Sequence, residues 1–410
     1  MLEPEIIIVG AGVIGLSIAL EAQARGLRVR VIDREGPAAG ASAGNAGAFA
    51  FSEILPLASP KIIRQAPKWL LDPLGPLSIR PAYALRLLPW MLRFWRASRP
   101  SQVAASTRAQ AALMRLANRS VDPFLQRAGL SNMLRREGQL QVFEGECQFQ
   151  AARGDFARME GEGIALRYLT GAQIREVQPG LSPIFTHAVQ TSHYATIDDP
   201  RAYTLALAEK VVAVGGALER AEATALTPEG VMTSAGERKG RVVIAAGAFS
   251  HRLARTAGVT IPLETERGYN TTLPAGAFDL RQHLTFGAHG FVVSRLGSGL
   301  RIGGAVELGG LDLPPNYARA EAMLRKAARF LPGLDTRGGV QWMGFRPSLP
   351  DSLPALGPLP GHPHVLCAFG HGHLGLTQST ATASIIADML TGAAPALDLT
   401  PFSPTRFARA

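Results

Sequence analysis

Apolar runs and their spacing divide this chain into strands and helices. The run within residues 5 to 9, with three consecutive isoleucines, has the pattern of a parallel strand buried on both faces. A helical segment follows and stops at Gly26, a residue suited to a C-cap, and a second strand from Arg28 to Ile32 delivers Asp33. Residues 241 to 250, RVVIAAGAFS, are another buried strand, ending in Ala246 and Gly247. Residues 364 to 390 read as a strand, a turn rich in glycine at Gly370, Gly372 and Gly375, and an amphipathic helix. Between these segments, residues 290 to 294 and 300 to 306 alternate as a hairpin around LGSG, 262 to 273 form another strand, and 316 to 330 form a helix that stops before Pro332. The pattern predicts an α/β lobe built from separate chain segments with an α+β lobe inserted into it.

The first of these segments carries the most chemistry. Gly10, Gly12 and Gly15 are spaced as GxGxxG between a strand and a helix that opens at Val13 and Ile14. Gly10 permits the tight turn, Gly12 lets backbone approach a pyrophosphate, and Gly15 lets helix and strand pack closely. The helix N-terminus offers amides and partial positive charge to phosphate, and Asp33, followed by Arg34, stands where a carboxylate takes ribose hydroxyls. The unit is shared by FAD and NAD proteins. The small residues Ser42, Ala43, Gly44, Asn45, Ala46 and Gly47 suit close passage beneath a cofactor.

Composition narrows the class. With 410 residues, 47% apolar and 18% charged, the chain excludes general disorder and has length for two or three lobes at about 100–200 residues each. The net charge of +10 comes from arginines spread along the sequence, with only five lysines and no basic run interleaved with aromatics, so nucleic acid is not an expected partner. Cys147 and Cys367 form neither a disulfide framework nor a metal motif, and no metal is expected. A reducing, cytoplasmic setting fits, with no segment patterned as a membrane span or signal peptide.

Six ordered segments, IIIVGAGVIGLSIALEAQARGLRVRVIDRE, ASAGNAGAFA, ERGYNTTL, LRIGGAVEL, GFRPSLPDSLPALG and GHGHLGLTQS, resemble the D-amino-acid oxidase superfamily of FAD enzymes, most closely its D-amino-acid dehydrogenase branch. The resemblance implies a discontinuous Rossmann-like FAD-binding domain (approximately 1–52, 140–258 and 340–410, the middle segment open to sharing with the substrate lobe) and an inserted mixed-sheet substrate domain (53–139 and 259–339). It implies non-covalent FAD, held by the glycine turn, the 42–47 loop, Ala246, Gly247 and the C-terminal turn from Gly370 through Gly372, His373, Leu374 and Gly375 to Thr377. It also implies that Arg346 grips a substrate carboxylate, that Tyr269 donates a second hydrogen bond to it, and that His373 tunes the flavin or lines the pocket. Arg267 would serve the same pocket or face solvent, and a structural Arg346 bonded to backbone or Asp351 is the alternative.

The activity implied is oxidative deamination of a D-amino acid, with D-proline or hydroxy-D-proline, glycine or sarcosine, and opines as near rivals. A flavoprotein subunit active only in a larger complex is the alternative from another class. Residues 66 to 100, dense in Trp, Leu and Arg, suggest either peripheral contact with an anionic membrane through Trp69, Trp90 and Trp95, beside a membrane quinone as electron acceptor, or an ordinary buried helix pair.

Overall fold

The isoleucine run becomes strand Ile6–Val9, all of it buried, near the centre of a six-stranded sheet. The computed structural model describes residues 5–72 and 75–407. Parallel neighbours Val29–Asp33 and Arg241–Ile244 flank the run, extended by Ala217–Arg220 on one side and by His362–Phe369 with antiparallel Ala355–Leu359 on the other. Alternation along the central strand separates two cores. Ile6 and Ile8 pack under helices Val13–Ala24, Pro100–Ala128 and Gly375–Thr391, whereas Ile7 and Val9 face a core shared with Val231 and Ala254.

The second lobe is built on a nine-stranded sheet among the described residues. Its order is Val340–Ser348, Glu264–Leu273, Gly299–Leu308, Phe291–Leu296, His283–Phe286, Gln139–Glu144, Phe185–Thr191 and Arg167–Thr170, with Leu77–Ile79 paired off the third of these strands. Phe286 stacks on Phe291 and Phe330, and Phe185 meets Phe330 edge-on, filling its core under helix Ala318–Phe330. The predicted hairpin is present, antiparallel from Phe291 to Gly304.

The segment boundaries differ from those expected at helix Pro100–Ala128 and strand Val340–Ser348, and the middle segment is shared between the lobes. Helix Pro100–Ala128 joins the first lobe because its stripe of Ala109, Leu113, Ala117 and Val121 docks in the core that contains Ile385 and Ile386 of the C-terminal helix. Residues 139–191 supply three strands to the second sheet, since their apolar faces (Leu140, Val142, Ala188) complete that lobe's core. Strand Val340–Ser348, which carries Arg346, is an edge of the second sheet.

Candidate active site at the seam between the lobes

A cavity of about 980 Å³ runs between the two sheets. At its first-lobe end the glycine turn presents bare backbone: a Cβ on Gly10 would lie 2.4 Å from the Ala245 carbonyl oxygen, and one on Gly12 would lie 3.0 Å from Ser42 Oγ. Gly15 does not line the cavity; a Cβ there would strike the Gly10 carbonyl, so it serves helix packing. Ser42 Oγ accepts from the Val13 amide at 2.9 Å. Asp33 accepts from the Ala11, Glu35 and Gly36 amides, which leaves about one of its roughly four acceptor positions for a ribose hydroxyl. Arg34 lies over the Phe249 ring at the rim. Val13, Ile14, Asn45, Ala46, Ala246 and Gly247 also line this end.

The 42–47 loop is held from both lobes. The Asn270 side-chain amide donates to the Gly44 carbonyl, Arg301 donates to the Asn45 carbonyl, and Trp342 lies so close to Gly44 that a Cβ there would sit 2.3 Å from its ring. Asn45 shapes the loop by accepting from the Gly47 amide, while Gly47 packs under Ile197 outside the cavity. Asn270, Arg301 and Trp342 escaped prediction, although Arg301 and Asn270 sit within the motif segments LRIGGAVEL and ERGYNTTL.

The C-terminal turn closes the opposite wall. The Gly372 amide donates to the Pro347 carbonyl, which ties the turn to the strand of Arg346. Helix Gly375–Thr391 begins without an acidic residue in its first turn or a side-chain cap, so its uncapped amides face the cavity at Gly375 and Leu376. Gly370 packs against Leu349 away from the main cavity, and the Thr377 hydroxyl is bonded to Ala48 and Ala50, so these two residues shape the wall. His371 is buried and paired with Thr382 Oγ1, and burial pushes its pKa down to about 3. His373 opens to the cavity yet lies deep within the protein; that burial, with Arg346 nearby, holds it at about 4, neutral at pH 7.

Arg346 lies on the cavity face of its strand. Its Nη1 donates to the Ala305 carbonyl at 2.9 Å and its Nη2 to the Gly304 carbonyl at 3.4 Å. Those carbonyls turn out of the ladder at a register shift between Arg267 and Tyr269, where Ala305 adopts a φ of 54°. Gly268 makes room for the guanidinium, since a Cβ there would lie 2.4 Å from Nη2. Asp351, the alternative partner, pairs with Arg406 instead.

Tyr269 corrects the sequence-based expectation. Glu266, Gly268 and Asn270 share the cavity face of strand Glu264–Leu273; Tyr269 borders the cavity, but alternation turns its side chain toward the opposite face, among Leu273, Phe291 and other core residues. Its hydroxyl donates to Glu307 at 2.9 Å and accepts from the Asn316 amide, so the phenol proton is committed. Arg267 is fully buried and bonded to Glu307 and to the Gly310, Leu313 and Pro314 carbonyls, facing neither pocket nor solvent.

A glycine turn under one sheet and a basic clamp under another, joined by one cavity large enough for a dinucleotide and a small acid, define an oxidoreductase of the dinucleotide-cofactor class. The family model of the DAO FAD-dependent oxidoreductases matches residues 5–389, and the chain belongs to that family. It is 35% identical to a D-amino-acid oxidase of Bradyrhizobium diazoefficiens over 98% of each chain, and 29% identical to a D-amino acid dehydrogenase of Sinorhizobium medicae over 98% of this chain and 100% of the relative. Among solved structures, glycine oxidase from Geobacillus kaustophilus superposes with a TM-score of 0.79 at 22% identity, covering 99% of this chain and 100% of that one. L-proline dehydrogenase from P. horikoshii superposes with a TM-score of 0.76 at 20% identity, covering 99% and 98%. These structural likenesses establish the fold. The protein is an FAD-dependent oxidoreductase, and the bare glycine turn and uncapped helix are the features of the cavity that fit FAD.

Proposed function

We propose that the protein oxidises the α-carbon of a D-amino acid to an imine, which water hydrolyses to a 2-oxo acid and ammonia. One observation carries this reading: Arg346 faces the cavity with no ion pair among the described residues, and only two of its five N–H groups are directed to the carbonyls of Ala305 and Gly304. The remaining donors suit a carboxylate gripped in bidentate fashion. Bound FAD supplies the acceptor for the two electrons that leave the substrate. The chain's own contribution is placement: Arg346 anchors the carboxylate, neutral His373 adds no second positive charge beside it, and Trp90, Phe94 and Leu374 keep water from the reacting carbon. D-Proline-type imino acids satisfy the same clamp. Anaerobic mixing with D-amino and D-imino acids is the test: bleaching of the flavin absorbance is expected, and retention of full colour with every D-substrate would overturn the proposal. Admission of air then separates an oxidase, which recovers colour rapidly, from a dehydrogenase, which waits for a quinone.

A membrane-surface location is the companion reading, and it rests on helix Ala84–Ala97. Leu85, Leu88, Leu92 and Trp95 are exposed at helical spacing along one face, while on the other face Trp90 and Phe94 are buried against the cavity and Leu87 packs with Ala58 and Leu308. Trp90 stacks on Phe94 and Trp69 is half-buried, so of the three tryptophans first considered only Trp95 is free to meet a bilayer. The leucines take their place; positions 73–74 of the stretch lie outside the described residues. Among the described residues no helix is long and apolar enough to cross a membrane. Flotation with anionic vesicles is expected to carry the protein, and replacement of Leu85, Leu88 and Leu92 by serine to leave it at the bottom; a wild-type protein that does not float removes the reading.

A further inference from the structure

Among the described residues, the acids lining the cavity include one that none of its arginines pairs with. Glu53 lines it, and no ion pair reaches its carboxylate among the described residues. Burial holds its pKa above the usual carboxylate range, with the Gln139 amide as the neighbour that favours the ionised form. Gln139 itself donates to Thr285 Oγ1, and the Tyr194 phenol, raised chiefly by burial, stands close enough to Glu53 for the carboxylate to raise it further. A buried carboxylate without a cation is costly, and it faces the chamber in which the substrate binds.

Sheet pairing sets the span between the Arg346 clamp and Thr285, the partner of Gln139 beside Glu53. The guanidinium rests on Gly304 and Ala305; Gly304 pairs with Phe291, and Phe291 with Phe286, the neighbour of Thr285. Two strand steps therefore separate the clamp from the Glu53 neighbourhood, on the order of 10 Å. The α-amino group of a bound amino acid stays within roughly 3 Å of its own carboxylate, so it cannot bridge that span. A side chain of three or four carbons ending in a cation reaches it, at roughly 5–8 Å plus a hydrogen bond at each end. Ala50, Ile54 and Leu374 pack around this end of the chamber and Phe94 lines it, giving the aliphatic stem an apolar path.

We propose that Glu53 is a specificity-determining residue that receives the terminal cation of a basic substrate, so that the preferred substrates are D-amino acids of the lysine, ornithine and arginine type. This rests on the amino-acid reading of the same chamber. The FAD-loaded protein is compared on D-lysine, D-arginine, the neutral D-norleucine of similar length, and D-glutamate. One charge-assisted hydrogen bond predicts kcat/KM for D-lysine about 10- to 100-fold above that for D-norleucine, with D-glutamate lowest. In Glu53→Gln the ratio of D-lysine to D-norleucine is expected to collapse toward unity. Calorimetry with 6-aminohexanoate against hexanoate reads the same contact without turnover, the amine binding at least about tenfold tighter to the wild type. If D-norleucine equals or exceeds D-lysine while both bleach the flavin, the inference fails and the proposed function stands. If no D-amino acid bleaches the flavin, both fail. If Glu53→Gln does not load FAD, the wild-type calorimetry alone decides: equal affinity for the two acids overturns the inference.

Discussion

Glu266 and Arg346 stand directly opposite each other on adjacent antiparallel strands, on the same cavity face, and no ion pair joins them. Burial raises the Glu266 pKa while Arg346 and Ser348 pull it down, and the same burial lowers Arg346 while Glu266 supports its charge. The acid thus sustains the guanidinium without consuming its donors, which stay available to a ligand. Arg346→Leu is expected to lower kcat/KM at least about 100-fold, equivalent to about 3 kcal/mol, while FAD content and melting temperature stay near wild type. Steady-state kinetics on flavin-loaded protein check it; unchanged kcat/KM would end the assignment.

Gly268→Ala is expected to act through Arg346. A methyl group 2.4 Å from Nη2 forces the guanidinium off the Gly304 and Ala305 carbonyls, and displacement by about 1 Å costs up to ~100-fold in kcat/KM. A variant that retains FAD yet loses substrate bleaching meets the expectation.

Tyr269→Phe is expected to do the reverse. The lost bonds to Glu307 and the Asn316 amide lie on the core side of the sheet, so stability falls by about 1–3 kcal/mol while kcat/KM changes by less than about tenfold. Denaturant unfolding set beside kinetics distinguishes this from a phenol that touches substrate.

Gly12→Val is expected to purify without yellow colour, because the added side chain meets Ser42 Oγ and fills the approach to the helix amides. In the wild type, acid precipitation should release all flavin to the supernatant, since neither Cys147, exposed on a short helix, nor Cys367, buried in a strand, lines the cavity. Yellow pellets would indicate a covalent link.

Acid should unfold the protein in a defined window. His283 and His371, buried and held near 3, are neutral in the folded state but take protons when unfolded below about 6.5. The unfolded chain then binds more protons, so the stability they allow is complete above pH 6.5 and is lost as pH falls toward 3, at about 1.4 kcal/mol per pH unit for each histidine. Glu53, Glu264 and Glu266, raised by burial, act in the opposite sense. The measurement is therefore a difference: urea unfolding at stepped pH should show a shallower slope in His371→Asn than in the wild type.

Local patterns made the first lobe readable. The strand, glycine turn, helix and acid from residue 5 to Asp33 are contiguous, and each requirement is met by the next few residues. The second sheet was partly hidden because Gln139–Glu144 pairs with strands beginning at Phe185 and His283, and nothing nearby in the chain announces such partners. Arg346 stood out as an arginine in an apolar stretch. The role of Tyr269 failed on parity: a strand was evident, but its cavity face was set by the pairing of Glu266 with Arg346. Glu53 left one signal, a lone carboxylate within AFAFSEILPL, whose meaning depends on walls supplied by Gln139 and Tyr194.

The six-stranded sheet draws its strands from residues 6–33, 217–244 and 355–369, and its roof is the helix Gly375–Thr391. A ribosome adding about 5–20 residues per second therefore exposes the glycine turn for roughly 20–80 s before the last strand and helix emerge. A flavin site that needs all of these strands is complete only once residues 355–391 have emerged.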